Sequence, residues 1–320
     1  MKKLSLLFVL LVITFIHYKC ISQTAEDYLE KGVNYVFMGK YDEALKCYDE
    51  AIRINPVYFD AWKNKAILLF TIGKNEEVNK CIDEALKIDS NSYEALVIRG
   101  SALIKLGELD EALKCTNKAL NLKSDLFLAL VLKAGILAKY ENFRESIDII
   151  DQALSIDSNT NHAWAVKAEI LIHAGKYEEA IQCIDKSLKI NPDDHILLNY
   201  KSEAFYNLNN IEQALKYINK AIELKPDDYS YINTKGIFLV MLNSYNDALK
   251  CFDQAIKLKP DFSDSWYNKA CTFSRLNIKD EMLFCLKKAI ELNKQNKEDS
   301  KNDEDFKKFL DDPDFKELVK

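Results

Sequence analysis

Three of the five prolines, Pro192, Pro226 and Pro260, recur with a period of 34. Pro56 lies four such periods before Pro192, and the skipped positions are Ser90, Ser124 and Ser158. A fixed period of this length marks one supersecondary unit stacked on the next. With the proline set at position 32, eight repeats follow without insertion or deletion: 25–58, 59–92, 93–126, 127–160, 161–194, 195–228, 229–262 and 263–296. Only 8 of 320 residues are Gly, which disfavours a turn-rich β-protein and Gly-rich phosphate loops; long helices with short connections remain.

The columns of this alignment define a helical hairpin. Position 8 is always small (Gly32, Ala66, Gly100, Ala134, Ala168, Ser202, Gly236, Ala270), so two helices approach closely there. Positions 4, 8 and 11 share one helical face, and positions 20, 24, 27 and 28 share a second. Position 15 is Gly or Asn in seven repeats and Glu141 in the fourth, which predicts a left-handed helix end. Position 19 is acidic in seven repeats, as suits the first turn of a helix. Each repeat therefore reads as helix A, a tight turn, helix B and a short linker; in the first, about Glu26–Met38 and Asp42–Ile54.

With Tyr28, Gly32, Tyr35, Gly39, Tyr41, Ala44, Tyr48, Ala51 and Pro56 in the first repeat, the chain resembles the tetratricopeptide repeat (TPR) family over 25–296, most of its length. The fourth repeat departs most, with Glu141, Ser146 and Ser158 at Gly, Ala and Pro positions. The resemblance implies an all-α, right-handed superhelical solenoid whose concave groove, lined by A helices, binds a protein or peptide without catalysis. Residues 297–320 break the phase and read as capping helices, with Asp312-Pro313 as a helix start.

In this family, positions 2, 5, 9, 12 and 13 of helix A meet the ligand. The first four repeats are mostly apolar there, with Leu29, Val33, Val36, Phe37, Ile67, Phe70, Val97, Ile104 and Val131. The next three turn polar, and Glu169, His173, Asn199, Glu203, Tyr206, Asn207 and Asn233 form the candidate partner-binding groove. Asn side chains one repeat apart suit the backbone of an extended peptide, and Glu169 with Glu203 favours a basic residue on it. The family's clamp for acidic chaperone tails is not expected, because Lys63 at position 5 is followed by Ile67 at 9 and Ile98 at 6 of the next repeat.

Rival chemistry has little support. Glu169, His173 and Glu203 are the candidates for a metal or enzymatic site, but no nucleophile elbow, H-E-x-x-H or phosphate loop accompanies them. No cofactor, metal or catalytic residue is expected. A self-assembling array is a further alternative. Position 7 is basic in all eight repeats, from Lys31 to Lys269, yet the net charge of −6 argues against a nucleic-acid track. Asp49, Asp83, Asp151, Asp185 and Asp253 at position 25 are plausible counter-ions. Six of eight Cys (Cys47, Cys81, Cys115, Cys183, Cys251 and Cys285) share position 23, a spacing that suits small buried hydrophobes rather than disulfides between neighbouring repeats.

At the amino terminus, Lys2-Lys3 precede an apolar stretch, Leu4–Ile16, and a small-x-small site at Cys20-Ile21-Ser22. The stretch is short for a membrane span and suits a secretory signal over 1–22, in contact with membrane or translocon. Export to the periplasm, envelope or medium is the expectation; a retained membrane anchor is the alternative. So many thiols sit awkwardly with an oxidising compartment.

Overall fold

The computed structural model describes residues 23–320, so the leader expected over 1–22 lies outside the described residues. Eight helix pairs follow the period: α1 (Ala25–Phe37) with α2 (Tyr41–Ile54), α3 (Phe59–Thr71) with α4 (Asn75–Ile88), α5 (Tyr93–Leu106) with α6 (Leu109–Leu122), and α7 (Phe127–Lys139) with α8 (Phe143–Ile156). Then come α9 (Asn161–His173) with α10 (Tyr177–Ile190), α11 (His195–Asn207) with α12 (Ile211–Leu224), α13 (Tyr229–Met241) with α14 (Tyr245–Leu258), and α15 (Ser263–Arg275) with α16 (Lys279–Leu292). No strand occurs among the described residues. The first four pairs form one compact body ending at Asp157; the rest form a second, from Ser158 onward.

The A–B turn is the same in every repeat. Position 15 has a positive φ in all eight: Gly39, Gly73, Gly107 and Gly175 at 70–80°, and Glu141, Asn209, Asn243 and Asn277 at 58–60°. This residue lets the next N–H turn back onto the carbonyl at position 11, as in Lys40 to Tyr35 (2.9 Å) and Asn210 to Phe205 (2.8 Å). Glu141 keeps the turn despite its Cβ, and Asn142 still donates to Leu137 (3.0 Å).

Helix A meets helix B where position 8 faces position 24. A Cβ on Gly32 would lie 2.5 Å from the Tyr48 ring, and one on Gly236 2.5 Å from Phe252. Where position 24 is the aliphatic Ile82, Ile150, Ile184 or Leu286, position 8 is Ala66, Ala134, Ala168 or Ala270, and all eight side chains are fully buried. Gly100 faces the smaller Thr116, and its nearest neighbour to a new Cβ is 3.6 Å away. The polar departures are absorbed locally. Ser146 donates to the Ala134 carbonyl (2.6 Å) and Ser187, at the usual Ala position 27, to that of Asn161 (2.9 Å).

Helix A is also tied to the linker before it. Trp62, Trp164 and Trp266 each donate their indole N–H to the carbonyl six residues earlier, at Pro56 (2.9 Å), Ser158 (2.9 Å) and Pro260 (3.1 Å). The bond uses the carbonyl alone, so Ser158 serves where proline is usual. Among the described residues no cysteine is disulfide-bonded.

The tail forms α17 (Gln295–Asn302), a 3-10 turn (Glu304–Phe309) and α18 (Pro313–Leu318). Phe306, Phe309, Phe315 and Val319 close the last core over Ala270, Met282 and Leu286. Asp312 caps α18, accepting from Asp314 N (3.0 Å) and Phe315 N (3.2 Å). The tail keeps more of the period than its sequence suggests: α18 starts one full period after α16, where a ninth helix B would begin. The expected break in phase lies instead in the ninth helix A, interrupted at Asp303.

A new methyl group has very different room at two of these glycines. Gly236→Ala is expected to cost about 1–3 kcal/mol through overpacking against Phe252. Gly100→Ala is expected to be neutral or slightly stabilising, since it gains helix propensity at little steric cost. Urea unfolding of both variants checks this, and equal destabilisation would refute the packing account.

Candidate functional site

Six of the seven candidate groove residues lie on α9 and α11 in the second body. Glu169 is half-buried on α9, and His173 is exposed at its end. Asn199 is half-buried on α11, while Glu203, Tyr206 and Asn207 are exposed one and two turns further on. Asn207 donates its side-chain amide to the Glu203 backbone carbonyl (2.9 Å). The Tyr206 ring stacks on Phe238 of α13 at 5.5 Å and 28°, which fixes the ring while leaving it 38% exposed. Asn233, on α13, has another role. It is buried, and its side-chain carbonyl accepts from Ser265 (3.0 Å) and Asn268 (3.2 Å) of α15. Position 5 thus serves contact between repeats here, and no carbonyl is left for a peptide backbone.

Electrostatics link the acidic members. Crowding by neighbouring atoms raises the Glu203 carboxyl above its ordinary value, and the charge of His173 offsets part of the rise. Tyr200, between them in sequence and half-buried, is pushed up to about 12 by burial and by the charges of Glu169 and Glu203. Glu169, His173 and Glu203 therefore share one electrostatic neighbourhood across α9 and α11. Tyr200 was not flagged by the sequence, nor was the His195–Tyr231 pair, with Nδ1 2.9 Å from the hydroxyl. These three sit at positions 6, 1 and 3; position 6 enters only through the chaperone-tail clamp, and none of them is among positions 2, 5, 9, 12 and 13, so the groove pattern carried no signal for them.

Among the described residues, three possible metal-ligating side chains converge at Cys271, Asp303 and Asp305, and not at the proposed rival site. Their polar atoms already serve the cap. Tyr267 donates to Asp303 (2.9 Å), Arg275 to Asp305 (2.7 Å), and the Cys271 thiol, raised by burial, to Asp303 (3.7 Å).

The position 7 cations meet the position 25 carboxylates of the preceding repeat. Lys65 pairs with Asp49 (2.6 Å), Arg99 with Asp83 (2.9 Å), Lys269 with Asp253 (2.5 Å) and Lys201 with Asp185. Lys201 is the buried case, lying 4.3 Å over the Tyr217 ring. The ladder is thus partly neutralised by the chain itself, through stems that pack and heads that pair.

The first body carries a cavity of about 300 Å³ along α3, α5 and α7, lined by Ile67, Tyr93, Val97, Ile98, Leu126, Leu128 and Ala129, with Lys63 and Glu94 at its edge. Of the apolar groove candidates, Phe37 is 85% exposed and Ile67 is exposed, whereas Val97 and Val131 are buried.

Tetratricopeptide repeat models match residues 25–58, 93–126, 162–194, 198–228 and 263–296, together just over half of the chain and in register with the period. An uncharacterized protein of Methanocaldococcus jannaschii is 47% identical over 45 residues, 14% of this chain and 52% of that protein, so the match spans about half of the relative's length. A tetratricopeptide repeat protein from Parabacteroides merdae aligns at TM-score 0.60 and 19% identity, over 78% of this chain and 98% of that one. A chain of the APC/C hetero-tetramer Cut9–Hcn1 aligns at TM-score 0.64 and 14% identity, over 88% and 53%. Pseudomonas aeruginosa pilF aligns at 0.57 and 16%, over 66% and 97%. At these identities the structural likeness concerns the fold.

Two substitutions probe these charges. Asp185→Asn strands a buried lysine, whereas Asp49→Asn leaves Lys65 nearer water; the first is expected to be worse by about 1–2 kcal/mol in urea unfolding. A raised carboxyl favours the fold when protonated, so the Glu203 contribution is present below about pH 4 and is lost as pH rises through its shifted value. Glu203→Gln should therefore match the wild type in acid and exceed it in stability at pH 7; a constant difference across that range would remove the crowding account.

Proposed function

The chain belongs to the tetratricopeptide repeat family, and from that premise we propose that it is a non-catalytic scaffold or adaptor holding a segment of another protein on its A helices. The observation that carries this reading is the surface of α9 and α11. There His173, Glu203, Tyr206 and Asn207 reach solvent, with Asn199 and Glu169 half-buried beside them. The Tyr206 ring, held by Phe238, offers a rigid contact area at little entropic cost. Glu203 and Glu169 favour a cationic side chain on the bound segment. The Cut9–Hcn1 neighbour is itself part of a protein assembly, which is consistent with this class of work.

We propose further that residues 1–22 direct the chain to the envelope or beyond, on the strength of Lys2-Lys3 and the apolar run Leu4–Ile16. Mass analysis of the native chain tests this; a start near Gln23 supports export with cleavage, and an intact leader favours the anchor.

The binding reading is tested by quantitative co-purification from the native host. The wild type is compared with a chain carrying Asn199→Ala, Glu203→Ala and Tyr206→Ala. Asn233 is left intact, because its loss would disturb Ser265 and Asn268. A partner weakened about tenfold or more, with helicity retained, is the expected result. Partners that persist unchanged would move binding away from α9 and α11.

A further inference from the structure

Polar departures from the columns find partners almost everywhere in this array. Ser146 and Ser187 reach backbone carbonyls, Asn233 meets Ser265, and Lys279 at position 17 pairs with Asp312 (2.6 Å) and Asp314 (2.7 Å) of the tail. The second repeat is different. Its Asn75 and Asn79, one turn apart on α4, each hold a buried side-chain oxygen that accepts no hydrogen bond. Among the described residues no other buried side-chain oxygen or nitrogen is left in that state.

Both stand in columns that are otherwise apolar. Position 17 is aromatic or aliphatic in six of the other seven repeats, and position 21 is Leu or Ile in all seven. These columns fill the seam between a helix B and the helix A that follows it. Leu109 and Leu113 of α6 pack with Ile136 of α7, and Ile211 and Leu215 of α12 pack with Phe238 of α13. Asn75 and Asn79 therefore occupy the seam of α4 and α5, beside Val78, Cys81 and Ile82, which pack with Ala95 and Ala102 of α5. These two helices run together over more of their length than any other described helix B with the helix A after it, so the closed seam shuts both oxygens away from water.

A buried acceptor without a donor carries the whole cost of leaving water. That cost is recovered when the seam parts, because both oxygens are then hydrated. An apolar seam recovers nothing of the kind and loses its burial. We propose that the seam of α4 and α5 is an opening point built into the first body, at which the second repeat parts from the third while both keep their helices. Repeats of a solenoid are held by neighbour contacts alone, so one seam can open without the others.

The thiols of position 23 report on such opening. Cys81 lies in this seam and is 4% exposed. Cys183 holds the same position on α10, where Tyr177 and Ile181 occupy positions 17 and 21, and is 6% exposed. Exposure alone would make both equally slow to alkylate. Iodoacetamide is applied to the native full chain, and each thiol is followed by peptide mass spectrometry. Each rate is divided by that of the same thiol in the urea-unfolded chain. Cys81 is expected to react about tenfold faster than Cys183, or more. Asn75→Leu with Asn79→Leu restores the apolar columns and should slow Cys81 about tenfold, while Cys47, buried on α2, keeps its rate. Asn75→Ala with Asn79→Ala removes the oxygens without adding bulk and should also slow Cys81. It decides the matter if the Leu pair does not fit, with circular dichroism verifying helicity. Equal rates at Cys81 and Cys183 overturn the proposal. So does a Cys81 rate that the substitutions leave unchanged, or one that slows together with Cys47, since the first body would then unfold as one unit.

Discussion

Everything in this molecule depends on how closely helix A approaches helix B at one point in each repeat. The gap is filled from both sides, and what one helix gives up in volume the other supplies. Tyr48 and Phe252 fit only because Gly32 and Gly236 lack a Cβ, while Ile82 and Ile184 meet Ala66 and Ala168. A packed interior tolerates neither excess nor void, so in seven repeats the sum across the pair is held while its division varies; the third, with Gly100 against Thr116, is the exception and keeps room for a methyl group. The left-handed residue at position 15 brings the chain back at the angle this contact requires. Even Glu141, with φ 59°, takes up that conformation, so the packing overrides a local backbone preference.

Between repeats, the joints are polar and recur at fixed offsets. A cation reaches back to an aspartate of the preceding repeat, and an indole N–H reaches back to a linker carbonyl. Both are short-range in sequence, which is how a one-dimensional array is built from neighbour contacts alone. This places the basic column in the frame of the molecule, where Lys201 shields its charge between Asp185 and Tyr217.

The period made the repeats, their helices and the turn residues legible, because each rests on steric demands that recur and leave a column. The groove was less legible because one helix surface serves two purposes. Position 5 faces both the ligand side and the next helix A, so Asn199 and Asn233 look equivalent in sequence. Yet Asn233 is claimed by Ser265 and Asn268. Only the neighbour decides, and a single column does not contain its neighbour. Tyr200, His195 and Tyr231 escaped for the same reason, since their significance lies in proximity across α9, α11 and α13. The tail misled differently. Its helix A is broken at Asp303, and the absence of column residues hid that α18 still starts on the beat.

The volume exchange at positions 8 and 24 also determines where genetic material of this kind can be cut and rejoined. Whole repeats each bring their own matched pair, so this contact survives when a repeat is moved as a unit. It does not survive in hybrids that take helix A from one repeat and helix B from another. Joining the Ala66 helix to the Phe252 helix makes a clash, and joining the Gly32 helix to the Ile82 helix leaves a hole. Recombination that keeps the protein folded is confined to the linkers, so this array can lengthen or shorten only in whole repeats.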